Sequence, residues 1–218
     1  MARGERAPIS PVLRRKPKQE RAKERIEAIL KTAMRLLGEK GVDAVTMKEI
    51  AAGSGGPLSS VYQYFPNKSA IIATLFEHHA QSVRSLLAQR FSSLETLDEA
   101  IVAIEQTIRA YYGLFYANPA LRQLQVAIQA DKSLTNLDIN ERRIEADFFL
   151  QATARFIPEV NRDEFRRTVF LMFQLVNNAI RLALVVPPEE SGDVMDDFVA
   201  MMCGQMRLLG RVDTSINA

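Results

Sequence analysis

Residues 46–68 read TMKEIAAGSGGPLSSVYQYFPNK, and this stretch decides the fold. Thr46 precedes Glu49 by three residues, the spacing of a capping box, so a helix starts there. Ile50 and Ala51 supply its inward face. Gly53, Gly55 and Gly56 interrupt it, and Pro57 suits the first turn of a second helix, because the N–H it lacks has no helical acceptor there. That second helix is short, from Leu58 to about Phe65. Pro66 stops it and Asn67 caps the next one. Two short helices about a glycine turn form the pattern of a helix-turn-helix unit.

The flanking sequence supplies the third helix of such a unit. From Gln19 the pattern is helical, and Ile26, Ile29, Leu30, Ala33 and Leu37 form one apolar stripe at steps of three and four. Gly38 and Gly41 offer stops. A fourth helix is expected to about Phe91. Further helices are expected near 96–116, 119–129, 134–157, 162–185 and 192–210, with Pro187–Pro188 separating the last two. Thr96 with Glu99, Asn118 before Pro119, and Asn161 with Glu164 mark three of the starts. No alternating strand pattern persists. The expectation is an all-α chain of about nine helices: a basic disordered arm over 1–18, a helix-turn-helix domain over 19–66, and a helical bundle over 67–218.

Charge divides the same way. Residues 1–70 carry 14 Lys+Arg against 7 Asp+Glu, a net +7, and residues 71–218 carry 14 against 19, a net −5. A basic head on an acidic body suits a protein that holds a polyanion at one end. In the arm, Arg14, Arg15, Lys16 and Lys18 either reach a groove and its phosphates or form a solvated tail. No apolar run approaches a membrane span and no apolar leader is present, so neither a membrane nor secretion is expected. Cys203 is the single cysteine, which fits a reducing cytoplasm. No Glu-x-x-His pair, phosphate loop, Cys-x-x-Cys or Gly-x-Ser-x-Gly occurs, so catalysis, a metal and a cofactor are all unexpected.

Thr46, Ile50–Ala51, Gly55, Tyr62, Tyr64–Phe65 and Lys68 stand at the spacing of the TetR family of bacterial transcriptional regulators, which residues 25–75 resemble. The resemblance implies a cytoplasmic, nucleoid-associated homodimer on a double-stranded DNA operator. The dimer would pair the last two helices, and a small-molecule effector would release it from DNA. Phosphate contacts by Tyr62, Tyr64 and Lys68 follow from the resemblance, and Phe65 is expected in the core. Thr46 and Lys48 open a helix whose dipole favours phosphate. Leu58, Ser59, Ser60 and Gln63 open the recognition helix and face base edges. Gln63 can read adenine through two hydrogen bonds.

Two positions depart from the family pattern. Gly56 replaces a branched apolar residue, whose burial is worth roughly 1.5–3 kcal/mol. Gly53 replaces a better helix former, at a cost of roughly 1 kcal/mol. Gly56→Val is therefore expected, on sequence grounds, to stabilise the head.

The eighth helix carries Phe165, Val169, Met172, Phe173, Val176, Ile180 and Leu184. The ninth carries Val194, Phe198, Met201, Met202 and Met206. Both have apolar surface for a core and for a partner. Gln174, Asn177, Asn178 and Arg181 recur at i, i+3, i+4 and i+7, a stripe open to three readings: pocket, dimer contact or solvated face. Tyr111, Tyr112, Phe115, Phe148 and Phe149 either surround an apolar ligand or fill the core. Tyr112, Phe115, Phe149, Phe173, Asn177 and Arg181 are the ligand-contact candidates. The rival function is an effector-independent or protein-controlled DNA organiser, with the same head and no pocket.

Overall fold

The computed structural model describes residues 18–211. The expected arm lies outside them, except for Lys18, which opens the first helix. Among the described residues the chain forms nine α-helices and two 3₁₀ turns, with no strand. These are α1 Lys18–Ala44, α2 Met47–Gly53, α3 Leu58–Tyr62, α4 Lys68–Phe91, α5 Leu97–Ala117, α6 Pro119–Ala130, α7 Thr135–Thr153, α8 Arg162–Ala183 and α9 Pro188–Leu209. None is long and apolar enough to cross a membrane.

Most starts follow their local chemistry. The Thr46 hydroxyl accepts from the Glu49 N–H at 3.3 Å, and the Glu49 carboxylate accepts from the Thr46 N–H at 3.0 Å, so both halves of the capping box are made. Asn67 accepts from the Ala70 N–H at 2.9 Å. Thr96 accepts from the Glu99 N–H at 3.1 Å. Other boundaries differ from expectation. Helix α9 starts at Pro188 rather than 192, because proline is tolerated in a first turn. Helix α7 ends at Thr153, and the 3₁₀ turns Ala154–Phe156 and Glu159–Asn161 carry the chain into α8. Asn161 does not cap α8 with its side chain. Its amide instead donates to the Leu209 carbonyl at 2.9 Å and so closes the end of α9.

Helix α1 runs past Gly38 and kinks at Gly41, whose φ of 78° lies in the left-handed region that favours glycine. Gly38 serves a different purpose. A Cβ there would stand 3.1 Å from the Ala120 Cβ, so the glycine lets α6 approach α1 closely.

Two apolar cores result. The head core joins Ile29, Leu30 and Leu37 of α1 to Ile50 and Ala51 of α2, Val61 of α3, and Ile71 to Phe76 of α4. It also takes in Leu124, Ala127 and Ile128 of α6, and Leu134 beyond it. The body core gathers the second half of α4 with α5, α7, α8 and α9, and Phe149 and Phe165 are enclosed at its centre.

Candidate nucleic-acid interface and ligand cavities

Between α2 and α3 the chain turns at Gly55, whose φ is 75°. Val61 is fully buried and sets the rotation of α3. Ser59, Tyr62 and Gln63 then lie at i, i+3 and i+4 and are all exposed, so they share the outward face. Leu58 is exposed beside them. Thr46 and Lys48 are exposed at the start of α2. Tyr64 is half-buried against the head core, and Phe65 is buried in it.

Three of the expected DNA contacts already have partners within the chain: Thr46 in its capping box, Ser60 and Lys68. The Ser60 hydroxyl accepts from Arg25 Nε at 3.1 Å and Nη2 at 2.9 Å, while Arg25 Nη1 donates to the Ser54 carbonyl. Arg25 thus ties α1 to both the turn and the recognition helix. Lys68 Nζ donates to the Val42 carbonyl at 2.7 Å and the Val45 carbonyl at 3.2 Å, where it closes the chain leaving α1. Arg25 lay outside the sequence reading, because its partners stand 29 and 35 residues away. The only local trace is Gly56, which leaves room for the guanidinium: a Cβ there would lie 2.8 Å from Arg25 Nη2.

Glu49 also pairs with Lys40 of α1. The Lys40 ammonium, then the Thr46 hydrogen bonds, hold the Glu49 carboxyl down at about 2.

The six ligand-contact candidates do not converge. Phe115, Asn177 and Arg181 line a cavity of about 220 Å³ between α5, α6 and α8. Tyr112 lines a separate groove beside α9, with its hydroxyl 2.6 Å from Ser191 Oγ. Phe149 is enclosed in the core. Phe173 lines a third space, a cavity of about 40 Å³ lined by residues of α4, α5, α7, α8 and α9. The polar stripe on α8 is divided too: Asn177 is buried, while Asn178 and Arg181 are exposed.

The inner cavity carries a group that sequence reading passed over. Arg142 and Glu145 of α7 are each 1% exposed and line it. Arg142 Nη1 stands 2.7 Å from Glu145 Oε2, and Nε stands 3.6 Å from Asp138 Oδ1. Tyr111 is adjacent, its hydroxyl 3.1 Å from His79 Nε2. Burial is the largest cause for three groups here, while Arg142 is raised against its burial by Tyr111, Glu145 and Asp138. Burial pushes Tyr111 up to about 12 and Glu145 up to about 7, and holds His79 down at about 4.

These shifts oppose one another in acid. His79 takes up its proton only on unfolding between pH 6.5 and about 4, so acid costs stability there. The folded chain holds the Glu145 proton between pH 4.5 and about 7, so stability falls as pH rises through that window. Glu145→Gln removes only the second effect. In thermal melts at fixed protein concentration, its midpoint should drop further than that of the wild type between about pH 7 and about pH 5. Equal drops would show that Glu145 does not hold its proton in the folded chain.

A half-buried set of helices ending in an outward-facing recognition helix, carried on a helical body with internal cavities, defines a helix-turn-helix DNA-binding regulator. Residues 29–75 match the family model described as bacterial regulatory proteins, tetR family. Residues 98–209 match that of the tetracyclin repressor-like C-terminal domain. The chain belongs to the TetR family of DNA-binding transcriptional regulators, which are not enzymes.

No curated protein matches the sequence. Solved structures share the fold at low identity. A TetR-family transcriptional regulator from Streptomyces coelicolor has a TM-score of 0.66 at 17% identity, covering 85% of this chain and 99% of its own. RolR in complex with resorcinol has a TM-score of 0.59 at 19% identity, covering 88% and 96%. The SmeT–triclosan complex has a TM-score of 0.63 at 18% identity, covering 89% and 94%.

Proposed function

We propose that the chain is a dimeric repressor that reads a two-fold-symmetric operator and leaves it when a small apolar molecule enters the body. The observation that carries the DNA-reading part is the outward row Ser59, Tyr62 and Gln63 on a recognition helix whose rotation is fixed by buried Val61. Ser59 and Gln63 meet base edges, with Leu58 beside them. Tyr62, Tyr64, Thr46 and Lys48 meet phosphates. Ser60 and Lys68 contribute by holding the helices in place, through the partners described above.

Dimerisation has its own support. Leu171, Leu175 and Leu182 on α8, Val185 just beyond it, and Met201 and Leu208 on α9 are exposed, an unusual load of large apolar side chains for two neighbouring helices. Of the apolar residues read on α8 for a core and a partner together, Phe165, Val169, Met172, Phe173, Val176 and Ile180 belong to the body core. The supporting case for a ligand is the set of cavities, together with structural relatives determined with resorcinol and with triclosan. A ligand acts by binding better to a conformation whose heads are wrongly spaced for successive major grooves.

Selection from a random DNA library with the full chain tests the reading. The expected result is an enriched site with two-fold symmetry; salt-sensitive bulk binding alone would overturn it. On that site Gln63→Ala should lose about 1–3 kcal/mol and relax preference at one base pair in each half-site. A filter-binding series showing equal loss on operator and random DNA would remove Gln63 from base reading.

A further inference from the structure

The inner cavity has a wall of apolar side chains and one polar corner, where Arg142 and Glu145 meet. Both are nine-tenths buried or more, yet neither is fully hydrogen-bonded. Four atoms in the corner lack partners: Arg142 Nε, Arg142 Nη2, Asp138 Oδ1 and Glu145 Oε1. Nε and Asp138 Oδ1 face each other across 3.6 Å, too long for a hydrogen bond but an ion pair nonetheless. That leaves one charged donor, Arg142 Nη2, on a guanidinium that also faces the Tyr111 hydroxyl, and one acceptor, Glu145 Oε1. A buried polar atom without a partner costs about 1–3 kcal/mol, so two on paired side chains that border one cavity mark the place where a ligand's polar group is recognised.

We infer that this corner recognises a hydroxyl group on a small apolar ring, the hydroxyl accepting from Arg142 Nη2 and donating to Glu145 Oε1. The inference rests on the ligand-responsive reading above and supplies its chemical class. A carboxylate would enter beside Asp138, Glu141 and Glu145, three acids against Arg142 and Arg84. An ammonium would enter against Arg142 itself. Only a neutral group that both donates and accepts satisfies the two orphan atoms without adding a charge to a water-poor site.

The cavity of about 40 Å³ has room for water but not for a ring. A cavity of about 150 Å³ is the scale that admits benzene. Met172 and Met202 line the space and can yield, since methionine has three rotatable bonds and no branch. Val83 and Leu86, half-buried on α4, form the side towards solvent. The ring therefore binds an expanded body, which gives it the differential affinity that a conformational response requires.

Four matched probes test the inference by titration calorimetry on the full chain: p-cresol, toluene, p-toluate and 4-methylbenzylamine. The expected result is p-cresol tighter than toluene by about tenfold, with the two ions weaker still. Replacing the pair together, Arg142→Met with Glu145→Leu, leaves no lone buried charge of that pair and should fold. In that variant the preference for p-cresol over toluene should vanish while toluene still binds. Toluene equal to p-cresol, a tighter ion, or a hydroxyl preference surviving in the double variant would each overturn the assignment, as would silence from all four probes. None of these outcomes touches the DNA selection, so failure of the hydroxyl corner is separable from failure of the regulator reading.

Discussion

Arg142→Ala is expected to cost about 3–5 kcal/mol of stability, the largest effect of any single change considered. The guanidinium is enclosed at 1% exposure, and its removal leaves Glu145 buried without a counter-charge. Glu145 can escape by holding its proton, because burial already pushes it up to about 7. The loss should therefore be smaller at about pH 5 than at about pH 8. Urea denaturation at the two pH values, with protein concentration held fixed, measures both quantities. The paired replacement Arg142→Met with Glu145→Leu should cost less than Arg142→Ala, since it leaves only Asp138 to give up its ion pair. A loss below about 1 kcal/mol for Arg142→Ala would mean that the pair is far better solvated than its burial implies.

The second large effect reverses the expectation drawn from the sequence. Gly56→Val should destabilise the head by about 1.5–3 kcal/mol and weaken operator binding. The position is half-buried rather than enclosed, so a valine gains little there. Its Cβ would lie 2.8 Å from Arg25 Nη2, 3.0 Å from Arg25 Cζ and 3.2 Å from Ser60 Oγ. The guanidinium sits at the end of a flexible chain and can swing away. The cost is thus the loss of its hydrogen bonds to Ser60 and to the Ser54 carbonyl, each made to a charged donor. Thermal melts of the full chain test the sign. Arg25→Ala combined with Gly56→Val should cost little more than either change alone, because both break the same hydrogen bonds. A melting temperature raised by Gly56→Val alone would show that Arg25 does not brace the turn.

These reversals mark where sequence reading stops. The helices were legible because their signals are local: Thr46 with Glu49, Thr96 with Glu99, Asn67, and the stripe from Ile29 to Leu37. Ser59 and Gln63 were named from their place at the start of the second short helix, and both stand exposed there, because nothing outside that helix is needed to turn them outward. Ser60, Lys68 and Asn161 were read only in part, because their hydrogen bonds reach across 35, 26 and 48 residues. Gly56 reads as a missing apolar contact until Arg25 is seen beside it. The run ERRIEAD in α7 has the look of a solvated helix face, yet Arg142 and Glu145 within it are among the most enclosed side chains of the body. Burial of a charged residue is a property of the packing around it, which no spacing within its own helix announces.

The head core does not end where the helix-turn-helix does. Leu124, Ala127 and Ile128 of α6 complete it, Gly38 presses on Ala120, and the Gln123 amide oxygen accepts from the Val42 N–H at 3.3 Å. A chimaera that grafts a foreign reading head at the α3–α4 junction would face α6 with a surface it was never shaped to meet. Residues far outside the recognition helix therefore limit how freely this chain can trade its specificity, whether in evolution or at the bench. Transplants that carry α6 along with the first four helices should fold where shorter ones fail.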